Sequence, residues 1–144
     1  MIELYPFQQR GVEFLSGVNA GLLADQMGLG KTIQVIKASS FRTDILYMCP
    51  ASLCENVLRE FSKAGRDAVV VRGAKAEIPK AGIVVVSYDT LKINTVFAQL
   101  DHRWHIIICD ESHLLKSPKS KRAQAVFGNR DHPGLARNAE KVWL

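Results

Sequence analysis

Short apolar runs alternate with amphipathic stretches along almost the whole chain. Ile45–Cys49, Val69–Val71, Ile83–Val86 and Ile106–Cys109 are uninterrupted apolar segments bounded by Gly, Pro or polar residues. Runs of this length, three of them rich in β-branched residues, predict buried strands. Gly21–Ala24 predicts a shorter strand, and Val142-Trp143-Leu144 opens another apolar run. Between them lie helical patterns. Pro6 suits a helix start, where its missing N–H costs nothing, and puts Phe7, Gly11, Phe14, Leu15 and Val18 on one face. A second helix is predicted over Thr32–Ser40. Ser52 and Glu55 form a capping box for a third, with Leu53, Val57, Leu58 and Phe61 as its apolar stripe. Ser87 or Asp89 caps a short helix through Leu91. Ser117-Pro118 opens a last one, with Ala123, Val126 and Phe127 facing the core. Gly128–Asn138 reads as a polar loop.

Continuous apolar strands separated by amphipathic helices specify an α/β domain. The expected architecture is a mainly parallel central sheet with helices on both faces, in three layers. The 144 residues suffice for one domain, and 47% hydrophobic with 23% charged residues excludes a disordered chain. Cys49, Cys54 and Cys109 make no paired framework; Cys49 and Cys109 lie in apolar runs, which predicts reduced, buried thiols. With no second Cys pair, core packing is a better account of Cys49 and Cys54 than a metal site. His102, His105 and His113 do not have zinc-ligand spacing. Trp104 and Trp143 flank strands as core or edge aromatics. No apolar run approaches the roughly 18–20 residues of a membrane helix, and MIELYPFQQR has no signal-peptide pattern. The expectation is an intracellular protein with no membrane partner, cytoplasmic in a bacterium or phage and nuclear in a eukaryote.

The net charge of +5 is unevenly spread. Residues 1–101 carry 11 Lys or Arg and 10 Asp or Glu; residues 102–144 carry 8 and 4. A basic excess around Lys116, Lys119, Lys121 and Arg122 fits a phosphate-rich partner. A solvated helix face accounts for it equally well.

The strongest chemical signal is DQMGLGKT, residues 25–32, with a predicted strand before it and a helix after it. That is the setting of a phosphate-binding loop. Gly28 and Gly30 let successive N–H groups converge at a helix N-terminus. Lys31 would meet the β- and γ-phosphates of ATP, and the Thr32 hydroxyl would ligate Mg²⁺. Asp25 stands where the general pattern G-x-x-x-x-G-K-[ST] has its first Gly.

The second signal is HIIICDESH, residues 105–113, which sets two acids at the exit of a buried strand. Carboxylates in such a place need a counter-charge, and Mg²⁺ bound to ATP supplies one. Asp110 would hold the metal, usually through water, and Glu111 would orient or deprotonate an attacking water. The structural alternative is a strand-end turn in which Asp110 caps the following segment.

DQMGLGKT, DESH and their spacing resemble the SWI/SNF-like DNA-dependent ATPases of helicase superfamily 2, the annealing-helicase and remodelling-translocase branch above all. The family's loop carries an acidic residue at the position of Asp25. The resemblance implies a RecA-like P-loop domain spanning residues 1–144, in which Asp25, Gln26, Met27, Gly28, Leu29, Gly30, Lys31 and Thr32 cradle ATP. LYPFQQRGVEFL, residues 4–15, is similar to the family's adenine-recognising motif, with Gln8 reading the base. CPASLCENVLREF, residues 49–61, resembles motif Ia, which brings Pro50, Ala51 and Ser52 to a DNA strand. VVVSYDTL, residues 84–91, resembles motif Ib, with Ser87 and Tyr88 on the DNA side. LLKSPKSKRAQAV, residues 114–126, resembles the stretch after the acidic box and adds Lys119 to the DNA-facing set. Lys31 and Glu111 are the implied catalytic residues. His113 is implied to couple the acidic box to a neighbouring motif.

Two departures stand out within the motifs. Val57 takes a place often held by Trp, and Ser112 replaces Ala in the acidic box. The family's Thr-containing motif and second RecA-like lobe, with its arginine finger, do not occur in these residues. The expected role is an ATP–Mg²⁺ binding lobe that grips duplex DNA weakly and without sequence preference, and works with a second lobe in cis or in trans. The alternatives are a non-hydrolysing ATP- or DNA-binding regulatory module, and an RNA helicase lobe.

Overall fold

The computed structural model describes residues 3–23 and 30–144. Six strands form one sheet: β1 (Ala20–Gly21), β2 (Ile45–Cys49), β3 (Ala68–Val70), β4 (Ile83–Ser87), β5 (Trp104–Cys109) and β6 (Ala139–Trp143). Their order across the sheet is β1-β6-β5-β2-β4-β3, and every pairing is parallel. Apart from Ser87 at the end of β4 and His105 near the start of β5, the central three strands are built of apolar residues and Tyr47, because the sheet is covered on both sides. Leu46, Met48, Val84, Val86, Ile107 and Cys109 point to one face; Ile45, Tyr47, Cys49, Ile83, Val85, Ile106 and Ile108 point to the other.

Helices α1 (Pro6–Gly17), α2 (Lys31–Ala38) and α3 (Cys54–Lys63) cover the second face through Leu15, Val35, Ile36, Val57 and Phe61. Helices α4 (Tyr88–Leu91), α5 (Asn94–Leu100) and α6 (Lys121–Phe127) cover the first through Leu91, Val96, Leu100 and Val126. The three-layer α/β expectation holds. Phe61 is fully buried and meets the Tyr47 ring edge-on, with centroids 6.0 Å apart. Truncating such a residue to Ala costs about 3–5 kcal/mol, so Phe61 fixes α3 to the sheet. Both tryptophans are core residues, and the Trp104 indole N–H donates to the Leu100 carbonyl at 2.9 Å. All three cysteines are buried and reduced.

Several local expectations are corrected. The Ser52–Glu55 capping box does not form. Leu53 N–H bonds to the Pro50 carbonyl at 3.0 Å in a 3₁₀ turn, so α3 begins one residue later and Glu55 pairs with Arg72. At α4 the cap is Ser87, whose hydroxyl accepts from Thr90 N–H, while Asp89 pairs with Lys92 at 3.0 Å. At α6 the cap is Ser120, not Ser117. Phe14 and Phe127 are 46% and 49% exposed, since each lies at the rim of its helix's packed stripe. The strand expected at Gly21–Ala24 is regular only at Ala20–Gly21, although Leu23 N–H still bonds the Leu144 carbonyl at 2.9 Å; Leu22 is exposed and Ala24 lies outside the described residues. Helix α5 was not anticipated, and β6 begins at Ala139, within a stretch too polar to signal it. β6 is also an interior strand, paired on both sides.

Candidate nucleotide-binding site

The parallel arrangement sends the ends of β2 and β5 to the same edge of the sheet, where α2 starts. Gly30 caps α2 in the left-handed region, with φ 71° and ψ 43°. Glycine is required there twice over: the conformation strains other residues, and a Cβ would fall 2.5 Å from the Gln8 side-chain nitrogen. Past Gly30, the first N–H groups of α2 have no carbonyl within the helix to bond. Lys31 and Thr32 occupy this turn, both half-buried.

Gln8 is nearly buried and does two things at once. Its side-chain oxygen accepts from Tyr5 N–H at 3.0 Å, closing the start of α1, and its nitrogen lies against Gly30. One turn on, Gly11 allows α1 to approach α2, because a Cβ there would meet the Gln34 side-chain oxygen at 1.8 Å. The expected base-reading helix is thus seated directly on the phosphate-loop helix.

Across from α2, Asp110 follows β5. Its N–H donates to the Met48 carbonyl at 2.8 Å, extending the β2 pairing by one residue. One carboxylate oxygen accepts from Glu111 N–H at 2.9 Å and the other from the Tyr47 hydroxyl at 2.8 Å. Asp110 therefore does cap the next residue, as the structural alternative required, while keeping lone pairs for a cation. Tyr88 donates its hydroxyl to the Asp110 carbonyl at 2.7 Å. Glu111 has φ 53°, the one positive value for a non-glycine among the described residues, and its carboxylate lies 3.2 Å from His113 Nδ1. That backbone turn carries the second acid away from the strand axis.

Tyr47 is the residue that the sequence did not single out. Its ring sits in β2, and its hydroxyl interacts with both Asp110 and Thr32. Burial, reinforced by the Asp110 charge, raises its pKa well above the ordinary value, so the phenol stays a donor. Burial likewise pushes the Tyr88 phenol up. A tyrosine inside an otherwise apolar buried strand is a signal in itself, because its hydroxyl must find a partner.

Gly30, Lys31, Thr32, Asn56, Asp110 and Glu111 line one cavity. Lys31, Asp110 and Glu111 also border a second, with Leu15, Leu23 and Trp143 on its apolar side. The Thr32 hydroxyl and Asp110 carboxylate are hard oxygen donors on one cavity, a set suited to Mg²⁺ that keeps waters and phosphate oxygens as its other ligands. Among the described residues, no cluster of three or more His, Cys, Asp or Glu side chains is placed to hold a metal alone. Asp25, Gln26, Met27, Gly28 and Leu29 lie outside the described residues. Of the residues expected to face DNA, Ala51, Ser52 and Lys119 are exposed and Pro50 is half-buried; Ser87 and Tyr88 are buried.

A SNF2-related domain profile matches residues 7–130, most of the chain. The chain belongs to the SNF2-related family. The SNF2 assignment agrees with resemblances to individual proteins over most of this chain. The chain is 34% identical to the TATA-binding protein-associated factor mot1 of Aspergillus fumigatus, an alignment covering 86% of this chain and 8% of mot1. It is 34% identical to the DNA excision repair protein ERCC-6-like of Danio rerio, covering 85% and 10%. Against the ISWI chromatin-remodeling complex ATPase ISW1 of Saccharomyces cerevisiae the identity is 32%, covering 98% and 15%. The chain thus spans a small part of the length of each of these relatives. Among solved structures, the Sulfolobus solfataricus SWI2/SNF2 ATPase core in complex with dsDNA superposes with a TM-score of 0.81 at 26% identity, over 99% of this chain and 31% of that one. The fold is the RecA-like α/β fold of SNF2 ATPase cores.

Proposed function

We propose that this SNF2-related domain binds ATP with Mg²⁺ between the start of α2 and the end of β5, as one lobe of a DNA-dependent ATPase. The observation that carries the reading is the convergence of Lys31, Thr32, Asp110 and Glu111 on one cavity, with the Tyr47 hydroxyl donating to Asp110. Lys31 offsets phosphate charge, and the open N–H groups of α2 add to it. Thr32 and Asp110 hold the metal, which when bound neutralises charge developing on the phosphates. Glu111, turned out of the strand, orients the water and accepts its proton. Asp25, Gln26, Met27, Gly28, Leu29 and Gly30 complete the cradle, and Gln8 reads the adenine from the adjoining helix. Duplex DNA is the second ligand, held without sequence preference at the exposed loop carrying Ala51 and Ser52 and near Lys119. The dsDNA complex of the Sulfolobus core supports this part of the reading.

Calorimetric titration with ATP and Mg²⁺ tests the nucleotide site. A charge-assisted contact of about 1.5–3 kcal/mol makes Lys31→Ala bind about 10- to 150-fold more weakly. Equal affinities for the two proteins would remove the phosphate-loop assignment.

A further inference from the structure

Cys49 ends β2 and Cys54 begins α3, and their sulfurs lie 3.5 Å apart, each side chain buried. Between them run Pro50, Ala51, Ser52 and Leu53, the loop whose 3₁₀ turn replaces a capping box. We propose that Cys49 and Cys54 are a thiol–disulfide exchange site, at which a small disulfide such as oxidised glutathione converts the pair to a reversible intramolecular disulfide. Neither thiol is used by the nucleotide chemistry, and the inference does not rest on it.

Three observations set the order of events. Cys54 retains a sliver of exposure, at 6%, whereas Cys49 has none, so an incoming disulfide reaches Cys54 first. Cys54 occupies the first position of a ten-residue helix, at the positive end of its dipole, which favours a thiolate although the Cys54 N–H itself is taken by the Ala51 carbonyl. The contact with the Cys49 thiol is the largest influence and lowers the Cys54 pKa; burial and the Glu55 charge oppose it, and the Arg72 charge adds to it. Either sulfur can donate in that contact, and the Cys54 sulfur also lies 3.8 Å from the Pro50 carbonyl; the contact with Cys54 and then burial push the Cys49 thiol up, which favours Cys49 as the protonated partner. Cys109 is also buried, with its pKa pushed up to about 12 by burial, and serves as an internal control.

The chemistry balances. The Cys54 thiolate attacks one sulfur of the small disulfide, breaking its S–S bond and releasing one thiolate. Cys49 then gives up its proton and attacks the Cys54 sulfur of the mixed disulfide, releasing the second. The protein loses two electrons and two protons, and one disulfide becomes two thiols. An S–S bond is about 2.05 Å long, so the sulfurs need to close by only ~1.5 Å. That movement draws the first turn of α3 toward β2. Asn56 and Val57 of this turn line the cavity that also holds Lys31, Thr32 and Asp110, so the thiol state is registered beside the nucleotide site. Disulfides of this kind in a reducing compartment are transient and redox-sensing.

The test is differential alkylation of the full chain after incubation with oxidised glutathione, read by intact mass and peptide mapping. The expected result is joint protection of Cys49 and Cys54, a mass loss of two hydrogens, alkylation of Cys109 alone after unfolding, and reversal by a dithiol reductant. Cys49→Ser should accumulate a stable glutathione adduct on Cys54, and Cys54→Ser should acquire none. All three cysteines remaining alkylatable after oxidation would overturn the proposal, as would a persistent glutathione adduct in the unsubstituted chain. The unsubstituted chain decides the matter even if a serine variant does not fold.

Discussion

The Tyr47 hydroxyl donates to the Asp110 carboxylate across 2.8 Å, from one central strand to the end of its neighbour. This bond joins the hydrophobic core to the chemistry. Tyr47 stands on the covered face of β2 beneath Phe61, and its oxygen emerges where Thr32 and Asp110 meet.

Tyr47→Phe keeps the ring and removes the donor. A hydrogen bond to a charged acceptor contributes about 1.5–3 kcal/mol, and some is recovered by water at the half-buried carboxylate. The expected loss of stability is ~1–2 kcal/mol by urea denaturation. Groups that orient metal ligands typically contribute 10- to 100-fold in affinity, so Mg²⁺-dependent ATP binding should fall by about 10-fold. Unchanged stability together with unchanged Mg²⁺ dependence would show that Tyr47 is only a core aromatic.

Gly11→Ala tests the seating of α1 on α2. Alanine gains about 1 kcal/mol of helix propensity. Against this, the new Cβ collides with the Gln34 side chain, which is fully buried and has little room to retreat. Overpacking costs about 1–3 kcal/mol, so the expected net effect is destabilisation by ~1 kcal/mol. Combining it with Gln34→Ala frees the space, and a double-mutant cycle should show favourable coupling. Additive effects would mean that the two helices do not share this contact.

Alkaline pH should weaken the fold. Tyr47, Tyr88 and Cys109 are raised by burial above ordinary values of 10.0, 10.0 and 9.0. Above those values the unfolded chain releases protons that the folded chain retains, so unfolding gains with each further rise in pH. Urea midpoints should hold steady to about pH 8 and fall beyond about pH 9, by up to ~1.4 kcal/mol per pH unit for each group fully ionised only when unfolded. Cys109→Ala should flatten the first part of the decline. A level profile through about pH 10.5 would contradict the burial of these groups.

Turnover should be negligible in the 144-residue chain alone. Phosphoryl transfer draws about 10³–10⁵ in rate from an arginine on the γ-phosphate, and among the described residues no arginine lines either cavity bordered by Lys31 and Glu111. Hydrolysis is expected once a second RecA-like lobe is supplied in cis or in trans. Vigorous DNA-stimulated hydrolysis by the purified chain, abolished by Glu111→Gln, would show that the chain completes its own site.

The central strands were legible because burial on both faces leaves no polar alternation to confuse with a helix. That Lys31, Thr32, Asp110 and Glu111 share one cavity was legible because a Gly-Lys-Thr run entering a helix and two acids leaving a buried strand have few structural explanations. What escaped notice depends on three-dimensional proximity. Asn94–Leu100 carries only Val96 and Leu100 as buried anchors, too sparse a pattern to distinguish from loop. Ser52 satisfies the sequence rule for a cap, yet the Pro50 carbonyl claims the turn first. Tyr47 looks like one more core residue until β5 brings Asp110 beside it. Gln8, expected to face the base, also closes its own helix, a double use that spacing alone does not reveal.

The pairing of β1 with β6 has a consequence for synthesis. Among the described residues β1 has no other sheet neighbour, and β6 is made after all the other strands. On a ribosome, β2, β3, β4 and β5 can assemble while α1 and β1 wait. Pairing two strands so far apart in sequence is slow compared with local contacts. A nascent chain arrested before Ala139 should therefore carry Asp110 and Glu111 in an ordered sheet, yet fail to retain nucleotide, because the strand leading into the glycine loop has nowhere to dock. Within these residues the site is completed only after β6 has emerged, when Val142 and Trp143 draw Ala20 and Gly21 into place.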